Sequence, residues 1–145
     1  MPQTGSRNDP FAAFNFLVEI DGVTVAGFSE CSGLNVESDP IEYRTGSEDI
    51  TVRKLPGLQK YGNITLKRGF TKADELWKWR KTVIDGKTER KSGTIVLLDE
   101  ARQPALRFNF REAWPRKWEA PTFNAKNNEV AIETLEIVHE GLALA

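Results

Sequence analysis

In one stretch of this chain after another, apolar side chains recur at every second position, and that period calls for strands with one buried face. Phe14, Phe16, Val18 and Ile20 alternate with Asn15, Leu17, Glu19 and Asp21. Asn63 to Lys67 alternates again, and from Ala105 to Trp114 the residues Leu106, Phe108 and Phe110 face inward against Arg107, Asn109 and Arg111. Thr94 to Asp99 is nearly continuously apolar, as in a strand covered on both faces. Turn chemistry separates these runs. Asp21-Gly22 is a preferred type I′ pair, after which Val23 to Phe28 returns antiparallel. Gly27, Gly33 and the run SECSG mark a bend or bulge before Leu34-Asn35-Val36. Asp39-Pro40 interrupts the sheet, Ile41 to Thr45 resumes it, and Glu100 to Pro104 makes a hairpin turn. Pro115 and Pro121 bracket RKWEA, and Glu129 to Glu140 is a long closing strand. Its apolar phase slips between Ile132 and Leu135, which predicts a bulge near Glu133-Thr134.

The period changes once. Thr71 is a good N-cap with Asp74 at N3, and Ala73, Leu76, Trp77, Arg80, Val83 and Ile84 form one helical stripe, with Trp79 towards its edge. Asp85-Gly86 ends this helix of about 13 residues. The whole is about seven strands with one helix inserted after the fourth or fifth. The economical solution is a mainly β fold, a two-layer β-sandwich or open β-barrel with one inserted α-helix packed against it.

The 145 residues suit a single domain that buries roughly 70% of its unfolded surface, enough for a core without staples. Charged residues make up 28% of the chain, which is neither a disordered nor a membrane composition. No apolar run approaches the ~20 residues that span a bilayer, so no membrane insertion of the monomer is expected. The N-terminal stretch MPQTGSRNDPFAAF has no apolar core of a secretory signal, so synthesis in the cytoplasm is expected. Cys31 is the only cysteine, which fits a reducing compartment.

Catalytic chemistry has little to work with. His139 is the only histidine, in phase with Leu135 and Ile137, which gives it a structural or surface role more readily than a place in a Ser-His-Asp triad. One Cys and one His cannot build a short-spaced metal site, the acids follow no calcium-loop pattern, and no phosphate-cradling GxxxxGK loop precedes the helix. The expectation is a protein that is not an enzyme and that has no cofactor or metal.

Other features point to association. Residues 46–62 form a long connection that is basic, Pro-Gly punctuated and more apolar than a solvated loop needs, with Ile50, Val52, Arg53, Lys54, Leu55, Pro56, Gly57 and Leu58 as its contact candidates. Residues 1–12 show no period and read as an arm ordered only by a partner. Charge is segregated: residues 67–91 carry nine Lys/Arg against four Asp/Glu, residues 1–66 five against nine. Complementary patches on one chain suit head-to-tail self-association, and an open sheet edge is a template for another copy. Lys72, Lys78 and Lys81 with Trp79 form the exposed basic side of the helix. That side admits a protein partner or, as the alternative, a nucleic-acid-binding β-domain using cations and a stacking aromatic. A monomeric ligand-binding barrel also remains open. Trp114-Pro115-Arg116-Lys117-Trp118 reads either as a cap on an open end of the sandwich, with a cation stacked on an indole, or as an interface anchor.

RKLPGL, ITLKRG, LWKW, AWPRKW and NEVAIETLEIVHEGL, in that order between Phe14 and Leu142, resemble the tail tube proteins of contractile phage tails and extracellular contractile injection systems. The resemblance implies hexameric rings whose strands join into one continuous β-barrel tube, stacked inside a contractile sheath and driven through a target envelope. It implies that residues 53–58 pack on neighbouring subunits and that the helix faces the sheath. The implied partners are further copies of the chain, sheath, baseplate and tube-initiator proteins, and cargo in the lumen. Glu42, Arg44, Arg107, Asn109 and Arg111 are the lumen candidates, and a baseplate-proximal initiator of the same family is the alternative position.

Overall fold

The computed structural model describes residues 10–12, 15–21, 27–44, 46, 52–126 and 128–145. Among them lie nine strands and one helix: β1 Phe16–Ile20, β2 Phe28–Ser32, β3 Val36–Tyr43, β4 Arg53–Tyr61, β5 Ile64–Gly69, α1 Glu75–Ile84, β6 Lys91–Leu98, β7 Pro104–Glu119, β8 Ile132–Val138 and β9 Gly141–Leu144. Most of residues 1–12 and of the Asp21-Gly22 return lies outside the described residues.

Seven strands form one antiparallel sheet in the order β1-β6-β7-β8-β5-β2, with β9 also on β7. Within the described residues β1 pairs with β6 and β2 with β5, and these two strands stand at opposite ends of that order. The long strand β7 makes this possible. Its first half pairs with β6 and β9, its second half with β8. Between them Glu112 sits at φ 54°, where two β7 residues oppose Ser92 alone, and a second register shift falls between Pro115 and Lys117. Such bulges bend a strand from one layer into the next. Pro115 lies inside β7, beside this second shift.

The core fills the space between the two layers. Val18, Ile20, Ile95 and Phe110 come from one side, Phe28, Ile64, Leu66, Leu135 and Ile137 from the other, and Leu76 and Trp79 from the helix. A sandwich or open barrel with one helix is what the structure contains, and its sheets are not closed in the monomer. The SECSG bend is also present: a register shift lies between Phe28 and Glu30, and Gly33 has φ 91°, where an added Cβ would meet Asn63 O at 1.9 Å.

Two local expectations need correction. The closing strand has no bulge near Glu133-Thr134, since β8 pairs with β5 in unbroken register from Ile137 to Ile132. Glu133 points inward with Leu135 and Ile137, and a buried carboxylate imitates a phase slip. It is tolerated because Arg68 of β5 pairs with it through Nε and the Trp118 indole N–H donates to it at 3.0 Å. The helix is shorter than expected, at 10 residues, with Asp74 as N-cap. The Thr71 hydroxyl instead accepts the Ala73 N–H at 3.1 Å, a local bond that competes with helix, while the Phe70 N–H is held by Ala131 O. Gly86, at φ 76°, ends the helix as expected.

Candidate assembly surface

The described part of residues 46–62 is mostly strand and not irregular loop. Strand β4 occupies most of that connection and pairs with β3 in a two-stranded ribbon apart from the main sheet. The alternation was hidden because the ribbon buries neither face: every β3 residue is exposed, and so is nearly all of β4. Ile41 lies opposite Leu55, Glu42 opposite Lys54 and Tyr43 opposite Arg53. A register shift between Ser38 and Pro40 leaves Gly57 and Leu58 facing Asp39 alone, and Leu58 is 80% exposed. Gly57 is needed there, because a Cβ would meet Asp39 O at 2.4 Å. Val52 precedes the strand and is exposed, whereas Ile50 lies outside the described residues.

The base of the ribbon is tied down. Gly62 N–H donates to Asn35 O, the His139 ring packs 5.5 Å from Tyr61, and its Nε2 lies 3.1 Å from Gly62 O. His139 is thus half-buried and structural. A two-stranded ribbon without a third strand or a helix beneath it is marginal in water, and among the described residues the contacts at its base are what hold this arm.

On the helix the assignments of the two tryptophans are exchanged. Trp79 is 2% exposed, donates its indole N–H to Glu89 O at 2.7 Å and carries Lys91 Nζ over its ring at 5.9 Å. Trp77 is 39% exposed and packs 5.1 Å from Trp118. The inward stripe is Leu76-Trp79 with half-buried Arg80 and Val83, and Trp79 does not belong to the outer surface. Lys78 and Lys81 are exposed and bound in i,i+4 pairs to Asp74 and Asp85, while exposed Lys72 precedes the helix. Arg68 joins this helix to the sheet by reaching Glu75 at 3.1 Å and Ala73 O at 3.3 Å. The backbone N–H of Glu75, and then Arg68, hold the Glu75 carboxyl below its ordinary range. That contribution is present above the ordinary carboxylate range and is lost as pH falls through the lowered value.

The lumen candidates divide. Arg107, Asn109 and Arg111 lie on one exposed face of β7, where the Thr94 hydroxyl donates to Asn109 Oδ1 at 2.8 Å and Arg107 lies 4.0 Å from Glu19. Glu42 and Arg44 are elsewhere in the monomer, Glu42 on the arm and Arg44 just past its first strand, so within one subunit the five do not share one face. In the Trp114–Trp118 cluster no cation stacks on an indole: Arg116 binds Glu136 at 2.6 Å and Lys117 binds Glu119 at 3.4 Å. Their backbone is strand, which sends these cations to the sheet face.

Sequence reasoning missed the aromatic groove formed by Phe70, Trp77, Trp118 and Phe123, with ring separations of 5.1 to 6.4 Å. LWKW and AWPRKW signalled its components, but only the pairing of distant segments joins them. Among the described residues no group of His, Cys, Asp and Glu could hold a metal, and no helix is long and apolar enough to cross a membrane.

Cys31 is half-buried, and burial, then Glu30, pushes its thiol up to about 11. The thiolate is the nucleophile, so native Cys31 should react with iodoacetamide at pH 8 roughly a hundred-fold more slowly than a free cysteine. Mass spectrometry of a labelling time course, native against denatured, measures this; equal rates would remove the burial argument.

A family model described as the T4-like virus tail tube protein gp19 matches residues 12–143. In a structure of the sheath-tube complex of the extracellular contractile injection system PVC, in the extended state, one chain is 27% identical. The match covers 100% of this chain and 99% of that one, with a TM-score of 0.87. A chain in the tube-terminating cap of the anti-feeding prophage is 26% identical over 100% and 99%, with a TM-score of 0.85. Hcp1 from Flavobacterium johnsoniae, 19% identical over 91% and 95%, shares the fold with a TM-score of 0.59. A comparison with curated protein sequences finds no match.

Proposed function

Because the chain belongs to the T4-like virus tail tube protein gp19 family, we propose that it is the inner-tube subunit of a contractile injection apparatus. It forms hexameric rings that stack into a hollow rigid tube, and contraction of a surrounding sheath drives that tube through a target envelope with cargo in its lumen. The observation that carries this reading is the match of tube-family sequence over residues 12–143 to a chain whose described residues leave β1 and β2 at the two ends of the sheet order and the β3–β4 ribbon apart from it. Strand edges invite another copy, and β1 and β2 differ, so a contact between them is heterologous, and a rotation that closes makes it a ring. Rigidity, bore and surface chemistry then perform the function, and no catalytic step is assigned. The chain is made in the cytoplasm and joined there to baseplate and tube-initiator proteins. Electron microscopy of the purified chain should reveal rings or tubes with six-fold symmetry; featureless small particles at all concentrations would overturn the reading.

The outer surface of the helix meets the sheath through Lys72, Lys78 and Lys81. If the Leu76-Trp79 stripe faces the sheets, these lysines face away, which in a closed ring is outward. Exposed ion pairs contribute about 0–1 kcal/mol each, so the contact is weak, repeated and salt-sensitive. Reversing all three lysines to Glu should leave tubes intact and reduce co-sedimentation with sheath protein. The helix itself should lose only a few tenths of a kcal/mol per reversed i,i+4 pair. Salt-dependent DNA binding by the parent chain, lost in the triple variant, would point to a nucleic-acid function instead. Burial of Trp79 speaks against that alternative, since the aromatic it needs is inside the core.

A further inference from the structure

We propose that His139 is a proton-operated clasp at the root of the β3–β4 arm: its protonated ring holds the arm to the body of the subunit, and loss of the proton loosens it. Both ring nitrogens face oxygens that can only accept. Nε2 lies 3.1 Å from Gly62 O, in the link between β4 and β5, and Nδ1 lies 3.1 Å from Gly141 O at the start of β9. A neutral imidazole carries one N–H and one lone pair, so it satisfies one of these carbonyls and turns its lone pair on the other. Only the imidazolium donates to both. Both contacts lie within one subunit and hold whether or not copies associate.

The half-buried ring is fixed from two sides, by Tyr61 of β4 at 5.5 Å and by the core residue Phe110 at 6.2 Å. Gly62 is also where the two strands of the arm meet the body, because its N–H donates to Asn35 O just before β3. The clasp therefore acts on a residue 77 positions away in sequence and at the point from which the ribbon projects. Several charged groups surround it. Arg111 of β7 stands against Gly141, where an added Cβ would meet its Nε at 2.6 Å. Glu140 is paired with Arg90 at 2.8 Å, Glu136 of β8 with Arg116 at 2.6 Å, and Lys60 of β4 with Asp39 at 2.8 Å. Carboxylates, phenols, lysine and arginine ordinarily change charge outside the range of about pH 5 to 8, in which an imidazole does so. The charged ring makes both contacts, so the hold is complete on the acid side of the imidazole titration and is lost as pH rises through it.

His139 is the only histidine, so isotope-labelled histidine in the parent chain gives ring spectra of that residue alone, without any substitution. Its titration is compared with hydrogen exchange of β3 and β4 over about pH 5 to 8. Each rate is divided by the rate of an unstructured peptide at the same pH, at a dilution where light scattering is constant over the range. Protection of the arm should fall roughly ten-fold as pH rises, the effect of losing one hydrogen bond to a charged group, with the midpoint of the ring titration. Protection of β6 and β8 should stay constant. In His139→Gln, arm protection should no longer depend on pH. Arm protection that is flat in the parent chain, that changes with a midpoint unlike that of the ring, or that keeps its pH dependence in His139→Gln would overturn the proposal. If the variant does not fold, the coincidence or separation of the two titrations in the parent chain decides alone.

Discussion

A chain carrying Leu55→Ser and Leu58→Ser is expected to remain a folded monomer and to form neither rings nor tubes. Neither leucine belongs to the buried core, and both are exposed on the arm, so the substitutions remove no packing from the subunit. If anything, solubility rises. If the arm is an assembly element, as the resemblance to tube proteins implies, the same two side chains become buried against a neighbour, and full burial of a leucine is worth about 1.5–3 kcal/mol. The loss recurs at every copy in every ring, so a modest change per contact becomes an all-or-none change in assembly. Circular dichroism and size-exclusion chromatography report the monomer, and electron microscopy reports the tubes. Tubes of ordinary length from the double variant would remove the arm from the assembly interface.

The second large effect separates two tryptophans two residues apart. Trp79→Ala should destabilise the subunit by about 3–5 kcal/mol, the usual result of deleting a buried aromatic. The change also leaves Glu89 O without its indole donor and Lys91 without the ring beneath it. Trp77→Ala should lower stability by on the order of 1 kcal/mol, because the ring is half in solvent and packs chiefly on Trp118. Urea denaturation of the two variants gives the comparison directly. Equal midpoints would reject the orientation of the helix described above, and a weaker assembly of the Trp77 variant with unchanged subunit stability would place that ring at an interface.

The helix shows why its orientation was not legible. A stripe through Leu76, Arg80 and Val83 fits equally well with Trp77 or Trp79 at its flank, since each lies within one residue of the inward line. The decision came from outside the helix: Glu89 O and Lys91, in the segment that follows, provide a partner for an indole at 79, and Trp118 on β7 holds the ring at 77. The same holds for Glu133. Its neighbours in sequence make it look like a break in the strand, and the Arg68 that neutralises it lies 65 residues away.

What the residue order alone determined is whatever depends on neighbours a few positions apart. That covers the mainly β character, the alternation of β1, β5 and the first half of β7, the presence of one helix after the fourth or fifth strand, and the glycine signals at Gly33 and Gly86. It also covers membership of the tail tube family, because motif words in a fixed order survive without any knowledge of geometry. Tertiary structure alone decided the pairings at long range: β1 with β6, β2 with β5, and β7 shared between two layers through its bulges. It decided that β3 and β4 stand apart as an arm, which alternation could not announce because neither face is buried in the monomer. The physical reason is common to all of these. Periodicity records which face of an element meets apolar surroundings, so it is informative where the subunit supplies those surroundings and silent where an ion pair or a distant ring does, or where a ribbon stands exposed on both faces.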